Sequence, residues 1–172
     1  MSTGQGLMVL GLGNVLKGDD GLGFYAIRDL SRESWPREVS FLHRTQFQWD
    51  PLFFEGCRGL VIIDIMTHGN KPGTVYTFGH SELLQNMGFL RTPWIMEAIS
   101  VPPMLGYFFP TSFVGLEPAC TECNINLTLT LSQVYERFLQ AARGEIRQVL
   151  QSLHPGAETG VQQAEPSVSA VR

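Results

Sequence analysis

The apolar run Leu7 to Leu10 passes directly into Gly11-Leu-Gly-Asn-Val-Leu-Lys-Gly-Asp-Asp-Gly-Leu-Gly23, and this junction limits the fold more tightly than any other stretch. A short apolar run bounded by glycines reads as a strand. From Gly21 onward apolar residues return at Leu22, Phe24, Tyr25, Ile27 and Leu30, the spacing of a helix, until Ser34-Trp35-Pro36 stops it. The turn therefore hands a strand over to a helix and places Asp19 and Asp20 at the strand's carboxyl end. In open α/β sheets ligands bind at that end, because the loops diverge there and leave a crevice. A tight connection carrying two solvated acids fits the same residues.

Further elements follow the same logic. Glu38 to Leu42 reads as a second strand, and Asp50-Pro-Leu-Phe-Phe-Glu-Gly as a short helix capped by Asp50 with proline at its first position. Gly59-Leu-Val-Ile-Ile-Asp64 is β-branched and apolar without alternation, as suits a strand covered on both faces in a parallel sheet. Gly73 to Phe78 alternates like a half-exposed edge strand, and Ser81 to Met87 is a short helix or turn. Thr92-Pro93 opens a helix expected to be interrupted at Pro102-Pro103, and Thr111 to Leu116 is the last core strand, ending at Glu117-Pro118. Val134, Phe138, Leu139, Ala142, Ile146, Val149 and Leu150 mark one face of a long helix from Ser132 to Leu153. The alternation of strands and helices implies an α/β fold, a three-layer sandwich around a mostly parallel sheet. One domain is expected over residues 1–153, with a disordered tail over 154–172 where the chain turns polar, small and proline-bearing.

Composition narrows the partners. With 172 residues and a net charge of −4, and with basic residues scattered, the chain has no electrostatic footprint for nucleic acid or an anionic membrane. No apolar run approaches the roughly 20 residues that span a bilayer. Three cysteines and an opening MSTGQG without a signal-peptide pattern point to a reducing, cytoplasmic setting. The expected state is a monomer.

Two core strands end in acids at one edge of the sheet. Parallel strands share a carboxyl rim, so Asp64 and the Asp19-Asp20 pair can converge although they are far apart in sequence. Carboxylates that close repel one another unless a cation or a proton sits between them, which defines either a divalent-cation site or an acid/base pair. The competing reading has Asp64 capping the turn that follows it through its own side chain. Cys120-Thr-Glu-Cys123 supplies half of a zinc or redox motif without a second ligand pair at workable spacing, so these read as two loop thiols. Asn124-Ile-Asn126 has the look of a helix entrance, and Cys57 stands in an apolar setting that suits a buried thiol. Ser100 and Ser112 have no nucleophile motif around them.

Three segments resemble the nickel-iron hydrogenase maturation endopeptidases: Val9-Leu-Gly-Leu-Gly-Asn-Val-Leu-Lys-Gly-Asp-Asp-Gly-Leu-Gly23, the strand Leu60-Val-Ile-Ile-Asp64 followed by Lys71-Pro-Gly-Thr-Val-Tyr76, and Phe113-Val-Gly-Leu-Glu-Pro118 before the long terminal helix. The similarity runs from about Gly6 to Leu153. It implies a twisted five-stranded sheet between helices. It also implies an aspartic-type endopeptidase that removes the C-terminal extension of the hydrogenase large-subunit precursor after nickel insertion. The nickel is then held by the substrate precursor and is no permanent cofactor. By the same resemblance Asp20 and Asp64 are the catalytic, metal-recognising carboxylates. The family's third group is a histidine early in the helix after the edge strand, where this chain has Trp94 in Thr92-Pro-Trp-Ile-Met-Glu97. An indole nitrogen donates only and cannot ligate a metal. His68, four residues past Asp64, is taken as the replacement metal ligand, with His80, Glu97 and Glu117 as further candidates. His43-Arg-Thr-Gln-Phe-Gln-Trp49 stands where the family often has Asp-Gly-Gly-Thr, on a loop facing the same rim. A non-cleaving assembly factor of the same fold is the alternative function.

Overall fold

The apolar runs form a five-stranded sheet, β1 (Leu7–Leu12), β2 (Val39–Arg44), β3 (Gly59–Ile65), β4 (Val75–Gly79) and β5 (Thr111–Leu116), in the order β2-β1-β3-β5-β4. The computed structural model describes residues 6–45, 54–90, 93–104, 106, 108–122 and 124–155, the side chains of residues 93, 94 and 101 lying outside that description. Strands β2, β1, β3 and β5 run parallel, and β4 pairs antiparallel with β5 at the edge. β3 is buried at every position and β1 likewise, which explains their unbroken apolar composition.

Successive side chains of the central strands enter two separate cores, as the two-residue repeat of a strand requires. Leu7, Val9, Val61, Ile63, Val114 and Leu116 pack with α1 (Leu22–Leu30) and α4 (Leu129–Leu153) on one face. Met8, Leu10, Leu60, Ile62 and Phe113 pack on the other face with α2 (His80–Gln85) and α3 (Pro93–Met104). The three-layer, mostly parallel architecture expected from the sequence is thus the one observed.

Several boundaries differ from expectation. β2 continues to Arg44, because His43 and Arg44 still find partners in Gly11 and Leu12 of β1. α3 runs through Pro102 and Pro103 to Met104 instead of stopping before them. Both prolines fall in its last turn, where a missing N–H removes only the closing bonds. α4 begins at Leu129, three residues before Ser132, because Thr128 is its cap: the Thr128 hydroxyl accepts from the Leu131 N–H at 3.4 Å. Residues 124–126 are no helix entrance; Asn126 has φ of 81° and Asn124 bridges to Lys17. Of the short helix expected from Asp50, residues 50–53 lie outside the described residues, as do Cys123 and the tail from residue 156. Among the described residues no helix is long and apolar enough to cross a membrane.

Chain order and strand order reverse between β1 and β3. β2 lies to one side of β1, and the chain then returns to place β3, β5 and β4 on the other. At such a switch point the loops leaving two neighbouring strands part in opposite directions, which opens a crevice at the carboxyl rim.

Candidate active site

Both expected acids stand on the carboxyl side of β1 and β3. Asp64 is the next-to-last residue of β3, fully buried, on the α2/α3 face that it shares with Leu60 and Ile62. Its Oδ1 accepts a hydrogen bond from the following residue, the Ile65 N–H, at 2.7 Å, and Asp64 is engaged in a further interaction besides. The capping expected of an aspartate after a strand is therefore present, and it occupies only part of the carboxylate.

The turn after β1 is built by glycine. Gly13 has φ of 124°, and a Cβ there would overlap the Asp20 carbonyl oxygen, so the chain can fold back on itself only at a residue without a side chain. A 3-10 turn over Gly18–Gly21 then leads into α1. Asp20 is half-buried, and its Oδ2 accepts from the Asn14 N–H at 3.0 Å. Among the described residues its Oδ1 meets no donor, which leaves that oxygen open to a cation or a proton.

Asp19 does something different from its neighbour. It is fully buried, and its two oxygens accept four hydrogen bonds: from the N–H groups of Ala119 at 2.8 Å, Cys120 at 3.0 Å and Thr128 at 2.7 Å, and from the Thr128 hydroxyl at 3.0 Å. Its own N–H donates to the Cys120 carbonyl at 3.0 Å. A carboxylate so filled cannot reach across the rim. It clamps the glycine turn to the loop after β5 and to the cap of α4, and so steadies Asp20 from behind. The partners lie about 100 positions away in sequence, which is why the sequence pattern alone leaves the two aspartates equivalent.

His43, at the end of β2, places Nε2 2.9 Å from the Gly13 carbonyl oxygen. A carbonyl only accepts, so Nε2 carries the proton. Phe24 meets the His43 ring edge to face at 5.3 Å. The histidine thus braces the glycine turn from the β2 side.

The remaining candidates are dispersed. His68 is exposed in the loop after β3, with its ring against Phe89 at 4.0 Å between centroids. Its backbone N–H, not its imidazole, is what Glu117 holds, at 3.0 Å. Glu117 is buried and accepts also from Gly69 N–H at 3.1 Å and from the Tyr76 hydroxyl at 2.5 Å. Burial pushes its pKa up, but these hydrogen bonds outweigh burial and hold it below the usual glutamate range. Burial and the Glu117 charge push Tyr76 up to about 12. His80 follows β4, whose antiparallel course ends beside Ser112 at the opposite rim, so it is remote from Asp64. Glu97 and Trp94 lie in α3, and the Trp94 side chain is outside the described residues. The Ser112 hydroxyl donates to Glu145 at 2.8 Å, a structural contact. Cys57 is buried, donates to the Gly59 carbonyl at 3.1 Å, and has its thiol pushed up to about 11 by burial. Among the described residues no three His, Cys, Asp or Glu side chains are gathered closely enough to hold a metal ion, and Asp20, Asp64 and His68 are no exception.

The five-stranded, mostly parallel α/β fold is shared with solved hydrogenase maturation endopeptidases. It superposes on the hydrogenase maturating endopeptidase HybD from E. coli with a TM-score of 0.70 at 23% identity, covering 83% of this chain and 92% of that one. The NiFe hydrogenase maturation protease HybD from Thermococcus kodakarensis gives 0.63 at 22% identity over 81% and 98%, and a hydrogenase 3 maturation protease 0.61 at 18% over 81% and 90%. In sequence the chain is similar to the hydrogenase expression/formation protein HupD of Rhodobacter capsulatus, 28% identical over 107 residues, 59% of this chain. It spans about half the length of that curated relative, 51%. No family model matches the chain.

Proposed function

We propose that the chain is an endopeptidase of hydrogenase maturation, which removes the C-terminal extension of a nickel-iron hydrogenase large-subunit precursor once nickel is inserted. The observation that carries this reading is the placement of Asp20 and Asp64 at the ends of β1 and β3, the two strands flanking the switch point, in a fold shared with enzymes of that name. Nickel enters as part of the substrate. A metal already held by precursor thiolates needs few further ligands from the peptidase, so the lack of a resident three-ligand cluster among the described residues is compatible with it. Asp20 offers an oxygen without a donor, and Asp64 a buried carboxylate on the neighbouring strand. His68 is the proposed nitrogen donor, an imidazole being a better nickel ligand than carboxylate oxygen. The partner is the precursor, and the chain acts on it as a cytoplasmic monomer.

A second reading, a non-cleaving assembly factor that binds the precursor, is favoured by one observation: Trp94 occupies the position at which the resembled family carries histidine. Incubating the purified protein with nickel-loaded precursor separates the two. Shortening of the precursor that is abolished by Asp20→Ala supports the peptidase. Full-length precursor that still co-purifies with the protein supports the assembly factor.

A further inference from the structure

The loop over residues 67–70 joins β3 to the edge strand across the carboxyl rim, and it is exposed throughout. Thr67 N–H donates to the Phe89 carbonyl at 3.0 Å, and the next two N–H groups, of His68 and Gly69, both donate to Glu117. Glu117 is itself held through both its backbone and its carboxylate. Its backbone N–H donates to Thr74 at 2.9 Å, its carbonyl accepts from Gly73 at 2.9 Å, and its carboxylate takes the Tyr76 hydroxyl, which in turn accepts from Asn70 Nδ2 at 3.0 Å. A buried charge without a cation beside it is costly to keep, and such groups persist where several donors are aimed at them. Here two of those donors are backbone N–H groups of one exposed loop and the third is the Tyr76 hydroxyl of β4, and the ring that this loop carries is His68.

We propose that Glu117 is a positioning residue: by holding the N–H groups of His68 and Gly69 it fixes the course of the 67–70 loop and sets the His68 imidazole against Phe89 at the rim that bears Asp64. The geometry stands by itself, whereas its consequence for cleavage rests on the peptidase reading. Glutamine at 117 keeps the shape but replaces one accepting oxygen with an NH2 group, so that one of the loop N–H donors, or the tyrosine hydroxyl, loses its acceptor.

The chain has four histidines, which makes the imidazole region of a proton NMR spectrum readable. His68, its ring 4.0 Å from that of Phe89 between centroids, should be shifted upfield by the ring current, and His68→Ala assigns its lines. In Glu117→Gln the His68 lines move downfield toward their positions in the urea-unfolded chain, while those of His43, His80 and His154 stay in place. Tyr76→Phe, which removes one hydrogen bond to the carboxylate, moves them less in the same direction, and decides the matter by itself if Glu117→Gln fails to fold. Unmoved His68 lines in the folded variants overturn the proposal. In the cleavage assay Glu117→Gln and His68→Ala both lower kcat by about tenfold or more with KM little changed, the signature of a misplaced group rather than of lost binding. If the lines move but His68→Ala cleaves at the wild-type rate, Glu117 positions the loop and it is the role of His68 in the peptidase reading that fails.

Discussion

Replacing Asp19 with asparagine exchanges one oxygen for an NH2 group, and the fold should lose about 3 kcal/mol. Oδ1 accepts one hydrogen bond, from Thr128 N–H, and Oδ2 accepts three, from Ala119 N–H, Cys120 N–H and the Thr128 hydroxyl. The better of the two amide orientations puts nitrogen at the Oδ1 position, where it faces the Thr128 N–H donor to donor. That deletes one charge-assisted hydrogen bond worth about 1.5–3 kcal/mol and reduces the other three to ordinary strength. With a urea m-value of about 2 kcal/mol per molar, the unfolding midpoint followed by circular dichroism falls by about 1.5 M with m unchanged. Thr128→Ala removes the hydroxyl that links Asp19 to the α4 cap, and costs about 1 kcal/mol or more. Combined with Asp19→Asn its effect is less than additive, since the two act on one network. A midpoint for Asp19→Asn within about 0.3 M of wild type would refute the clamp, because no rearrangement of a buried amide can satisfy four donors.

Gly13→Ala forces a Cβ into the Asp20 carbonyl at a φ of 124°, and should lower Tm by at least about 2–4 °C, which calorimetry reads directly. In the folded protein at pH 8, mass-spectrometric mapping after brief alkylation should find the exposed Cys120 modified and the buried Cys57 untouched, with Cys57 labelled once urea is added. The Glu117 carboxyl has a lower pKa folded than unfolded, so the folded state binds fewer protons as acid is added. Its stabilisation is complete above the unfolded value near 4.3 and is lost as pH falls through the folded one. The stability difference between wild type and Glu117→Gln should therefore shrink between about pH 6 and pH 3, and a difference that grows toward acid would contradict it.

What the sequence discloses and what it conceals divide along a physical line. The runs at Leu7–Leu12, Gly59–Ile65 and Thr111–Leu116 are legible because a strand buried on both faces leaves no polar position, and Asp64 is legible because it breaks such a run at its end. Asp20 is legible as part of a glycine-rich turn. The division of labour between Asp19 and Asp20 is not, since it depends on backbone N–H groups of residues 119, 120 and 128, which a local pattern cannot place. Glu117 carries the same mark as Asp64, an acid closing an apolar strand, but its partners are the N–H groups of a loop that only the β3–β5 pairing brings near. The start of α4 is hidden for a related reason. Thr128 is one of several residues able to cap, and Asp19 helps to select it.

Asp20 and Asp64 are proposed to recognise nickel presented by the precursor. Intact-mass spectrometry of the precursor after incubation with the purified protein, in parallel with and without inserted nickel, tests that recognition most directly. The nickel-loaded precursor should be shortened at its C-terminus while the nickel-free precursor keeps its full mass. Equal shortening of both, or shortening that survives Asp20→Ala together with Asp64→Ala, would contradict it.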